Sequence, residues 1–97
     1  MVEMISTILD SGMFHVAEEL RKSMKRYGGV VTTDPVRASA LLINEASEVL
    51  AEALKMTNPS GQASHRGAKG TKEAMIKELA QVGNLAIQMI YNLEKES

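Results

Sequence analysis

The chain has 97 residues, 44% of them apolar and 24% charged, which is the composition and size of one ordinary globular domain. It has no cysteine, so disulfides, zinc-thiolate centres and thiol catalysis are excluded. A formal charge of -1 with one Phe and two Tyr argues against a nucleic-acid partner, which would call for a basic face and stacking residues.

The apolar runs are far shorter than a membrane span, and Glu3 and Asp10 stand where a signal peptide carries its basic segment. A cytoplasmic protein with no membrane partner is the expectation. Seven Met join Leu, Ile, Val and Ala as the apolar stock, a set that favours helices.

Met1 to Arg26 reads as helical, with Ile5, Ile8, Leu9, Met13, Val16, Leu20 and Met24 recurring at helical steps. Ser11 and Gly12 allow a break there, although one continuous or slightly kinked helix is favoured. Gly28-Gly29 supplies the stop. The basic group Arg21, Lys22, Lys25 and Arg26 suits the negative end of the helix dipole, and Lys22 is a candidate for reaching a phosphate.

After a short Val30 to Thr33 connection, Thr33-Asp34 can cap a second helix with Pro35 at its first position. That helix should run to about Met56, where Thr57-Asn58-Pro59 ends it. Residues 57–70 form the one long loop, and Arg66, Lys69 and the following Lys72 make it a candidate phosphate-binding segment. Its glycines follow a helix and lack the lysine-hydroxyl pair of a P-loop. Thr71 can cap a third helix that continues to about Glu94.

The second helix carries more acid than a structural helix needs. At about 3.6 residues per turn, Leu42, Ala46, Val49 and Ala53 share a face with Glu45 and Glu48 at its edge. On the third helix Glu78 sits within the stripe Met75, Leu79, Val82, Leu85, Ala86 and Met89, with Gln81 one turn on. If these helices pack together, their carboxylates meet in a pocket lined by oxygen. Repulsion and lost hydration make such a pocket costly without protons or a cation. Carboxylates with no His or Cys favour magnesium, with manganese as a substitute.

The segment LLINEASEVLAEAL resembles the EExxE-bearing helix of the MazG-like all-alpha nucleotide pyrophosphohydrolases, and KELAQVGNLAIQMI resembles their later ExxD-bearing helix. Asn44 replaces the first Glu of EExxE and Gln81 replaces the Asp of ExxD. HVAEELRKSMKRYGG is similar to the upstream helix of phage-type relatives, so the resemblance spans roughly residues 14–94. It implies magnesium-dependent cleavage of a nucleoside triphosphate to a monophosphate and pyrophosphate. By position it implies Glu45, Glu48, Glu78 and Gln81 as metal ligands, with Gln81 a neutral oxygen donor or a partner of metal-bound water. A carboxylate not fully engaged in ligation, Glu48 or Glu52, would act as the base.

The expected architecture is a single all-α domain over 1–97, an antiparallel helical bundle of three main helices. A homodimer or homotetramer would complete its core, since small domains bury little of their own surface. The alternative, given the lost acids at Asn44 and Gln81, is a catalytically weak or inactive nucleotide-binding, dimerisation or adaptor module whose acidic steps pair with Lys or Arg.

Overall fold

A computed structural model describes residues 1–60 and 67–96, and the described part contains three helices and no strand. Helix α1 (Val2–Tyr27) runs unbroken through Ser11 and Gly12. It ends at Gly28, whose φ of 72° is the left-handed conformation a glycine adopts at no steric cost. Gly28 N–H closes the helix on Met24 O at 2.8 Å.

Helix α2 (Pro35–Thr57) starts as its sequence requires: Asp34 Oδ1 accepts from Val36 N at 3.0 Å, and Pro35 sits at the position that lacks an acceptor. Helix α3 (Lys72–Glu96) is capped by Thr71, whose Oγ1 accepts from Ala74 N at 3.1 Å.

Helix α3 packs against both α1 and α2, which do not pack on each other. Within the three-helix arrangement α2 and α3 therefore pack directly, whereas α1 and α2, although neighbours in sequence, are joined through α3. The short connector between α1 and α2 shows why. Val31 N–H donates to Gln88 Oε1 at 2.6 Å, and Val31 C=O accepts from Asn92 Nδ2 at 3.1 Å. Two side chains of α3 thus serve the backbone of one residue as a neighbouring strand would, meeting the hydrogen-bond demand of a covered connector.

Helices α2 and α3 are antiparallel, with Ala38 beside Met89 and Asn92 at one end and Glu52 beside Gly70 at the other. Helix α1 comes close to α3 at Gly83. A Cβ there would lie 2.8 Å from Val16 Cγ2, so a larger residue would force the two helices apart.

The buried residues are unusual. Ala38 and Ala80 are the buried apolar ones, whereas Glu19, Glu52, Asn84, Gln88 and Asn92 are the buried polar ones. On α2 the residues turned toward α3 include Ala38, Leu42, Glu45, Val49 and Glu52, while Ala46 is exposed. The helix is therefore rotated so that carboxylates, and not only the apolar stripe, enter the α2–α3 seam. Every residue from Met1 to Phe14 is exposed, including Ile5, Ile8 and Leu9. No described helix is long and apolar enough to cross a membrane.

Candidate functional site

Antiparallel packing brings Glu45 and Glu48, one turn apart on α2, opposite Glu78 on α3. One carboxylate oxygen from each lies within 4.8 Å of the others, and Glu48 is the exposed member of the three. The electrostatic consequence falls mainly on Glu78. Partial burial, a hydrogen bond to Glu48 and the charges of Glu48, Glu45 and Glu52 push its pKa from an ordinary 4.5 up to about 7. Glu45 is also pushed up, by burial first and then by Glu48 and Glu19. Burial and mutual repulsion thus favour the protonated forms of Glu78 and Glu45.

Gln81 is the fourth member. Hydrogen bonding is satisfied when its amide is turned so that Nε2 donates to Glu45 Oε2 at 2.8 Å and Glu78 Oε2 at 3.1 Å. A neutral donor thus bridges two carboxylates across the seam. Turning the same amide over presents its oxygen, so one side chain can serve both a protonated cluster and a cation.

Glu52 sits a turn beyond Glu48 and does different work. It is 6% exposed, and its Oε1 accepts from Gly70 N at 2.8 Å and from Lys69 N at 3.2 Å. Those bonds fasten the residues leading into α3. Both Glu52 oxygens are thus engaged by backbone amides, whereas Glu48 faces solvent.

The candidate phosphate contacts divide. Lys22 lines a cleft of about 580 Å³ that also reaches Glu45 and Gln81, and its Nζ lies 3.3 Å from Glu19 Oε2. Lys69 and Lys72 are exposed at the start of α3 and do not line that cleft. Arg66 lies outside the described residues.

The cleft opens between α1, the connector, α2 and α3. It adds Arg26 and Lys77 to Lys22, and places Tyr27, Leu41 and Leu85 on its walls. Lys77, Glu19, Asn84 and Gln88 were not legible as site residues, because a polar residue on a helix ordinarily signals a solvated face. The i, i+4 spacing of Asn84, Gln88 and Asn92 was the available clue, since it puts three amides on one face of α3.

Comparison with protein-family models, with curated proteins and with solved structures finds no match.

Proposed function

We propose that the protein is a magnesium-dependent nucleoside triphosphate pyrophosphohydrolase that releases a nucleoside monophosphate and pyrophosphate. The observation that carries this reading is the convergence of Glu45, Glu48 and Glu78 within 4.8 Å beside a cleft bearing Lys22, Arg26 and Lys77. Three carboxylates and the amide oxygen of Gln81 are hard donors, a set suited to magnesium or manganese. Their repulsion, expressed in the raised pKa of Glu78, is what a divalent cation would relieve. Bound there, magnesium would polarise phosphate oxygens and make water more acidic.

Glu48, the solvent-facing carboxylate, accepts the proton of the attacking water as the bond between the α and β phosphates breaks. Cations of the cleft offset the charge gathering on the departing pyrophosphate. A cytoplasmic setting, where nucleoside triphosphates and magnesium meet, suits this chemistry. Pyrophosphate release from a panel of nucleoside triphosphates, with magnesium and with EDTA, tests the reading. Release confined to the magnesium arm is expected. No release and no magnesium-dependent rise in melting temperature would leave the protein an adaptor.

The active form is a homodimer or homotetramer. A described core whose buried apolar residues are Ala38 and Ala80, in a body 23 Å thick along its shortest axis, leaves large side chains without cover. The α1 surface carrying Ile5, Ile8 and Leu9, each about half exposed or more, is apolar enough to need a partner, and a second copy supplies a matching surface by symmetry. Ile8→Glu is expected to shift the protein to monomer in sedimentation or light scattering. An unchanged mass would remove α1 from the interface.

A further inference from the structure

Asn84 is 5% exposed and lines the cleft next to the carboxylate cluster. Its polarity is set by a relay. Val31 N–H donates to Gln88 Oε1, so Gln88 must present Nε2 on its other side, and that nitrogen donates to Asn84 Oδ1 at 2.8 Å. Asn84 Nδ2 is therefore the free end of the relay. Among the described residues it has no acceptor, although a buried donor is ordinarily paired. A backbone amide that can only donate thus fixes, through two side chains, that the end of Asn84 left without a partner is a donor.

We infer that Asn84 Nδ2 is the base-reading donor of this cleft, binding a carbonyl oxygen on the ring of a nucleotide whose phosphates lie toward Glu45, Lys22 and Lys77. The class of ligand rests on the nucleotide reading above, whereas the position and sign of the contact come from the relay. Three features fit a ring. The cleft's volume of about 580 Å³ is that of a small-molecule site. Leu41 and Leu85 line the cleft beside Asn84 and provide apolar surface for a flat heterocycle, with Tyr27 on the same cleft. Along α3, Glu78 and Asn84 are separated by about 9 Å at 1.5 Å per residue, so the ionic end and the neutral end of the site are distinct, as they are in a nucleotide.

Rings with a carbonyl acceptor, uracil, cytosine and guanine, are matched by this donor. Adenine offers ring nitrogens alone and gains less. The selectivity arises because the relay does not let Asn84 turn over: reversing it would leave Gln88 Nε2 facing a second donor.

The test uses uridine, cytidine, guanosine and adenosine 5′-monophosphates with the whole protein in EDTA, so that neither magnesium nor turnover is involved. Equilibrium dialysis is expected to show binding of the three carbonyl-bearing nucleotides more tightly than adenosine monophosphate. Asn84→Ala should weaken uridine monophosphate about tenfold, the loss of one good hydrogen bond, with a smaller effect on adenosine monophosphate. In the wild-type protein, the Asn84 Nδ2 protons should shift in NMR spectra as uridine monophosphate is added, which keeps the test decisive if the variant does not fold. Absence of that shift, or equal binding by a folded Asn84→Ala protein, would overturn the assignment. Ring binding without pyrophosphate release would sink the hydrolase reading alone, and release without the Asn84 effect would sink this inference alone.

Discussion

Glu48→Gln should lower magnesium-dependent pyrophosphate release by about 100-fold or more while leaving the helices intact. The kinetic part follows from the two roles proposed for Glu48, as a metal ligand and as the base, which rest on its place in the three-carboxylate cluster and its exposure there. Loss of a positioned base alone costs about 100- to 10,000-fold. The structural part follows from exposure, because an amide of the same shape at a solvent-facing position disturbs no packing.

Stability supplies a second signature. Glu48 is one of the charges that raise the pKa values of Glu45 and Glu78, so neutralising it relieves repulsion. The metal-free variant should therefore melt no lower than the wild type above pH 7, even as its response to magnesium diminishes. Circular dichroism, thermal melts with and without magnesium, and an assay of pyrophosphate release check the three parts. Full activity in Glu48→Gln would remove the cluster from the chemistry.

In EDTA the protein should lose stability as pH rises from about 4.5 to about 7. Glu78 keeps its proton up to about 7 in the folded chain, against 4.5 as its ordinary value, so the folded form binds the extra proton within that window. Stability is then fullest below 4.5, falls through the window, and stays low above it. Glu45, also pushed up, acts in the same direction.

A shift of this size would correspond to about 3 kcal/mol with water fully excluded. Solvent at the half-buried Glu78 reduces it to about 1 kcal/mol, or about 4–8 °C in melting temperature for a domain of this size. Magnesium should reverse the loss at pH 8 and do little at pH 5, where it competes with protons for the same oxygens. Melts at fixed protein concentration, which holds any subunit assembly constant, check both statements. Glu78→Gln should flatten the pH dependence and abolish the magnesium effect. A wild-type melting temperature that does not change across the window would mean that the carboxylates do not repel one another as their positions require.

Much of this protein is local in origin and could be read along the chain. Asp34-Pro35, Gly28 and Thr71 mark helix ends through interactions within a few residues, and the step from Glu45 to Glu48 puts two carboxylates one turn apart on any helix. Other features depend on rotation and contact, which no periodicity specifies. Packing alone turned Glu45 inward and Ala46 outward, brought Glu78 to the pair, and committed Glu52 to the amides of Lys69 and Gly70.

Tertiary structure also decided that α3 lies between helices that do not pack on each other. Asn84, Gln88 and Asn92 look like a solvated face in the sequence and are instead buried, Gln88 and Asn92 bonding the α1–α2 connector and Asn84 bonding Gln88. The physical reason is that a polar residue carries the same symbol whether its partner is water or a distant backbone amide. The cost of leaving that amide unpaired, which exists only once the chain has folded, selects between them.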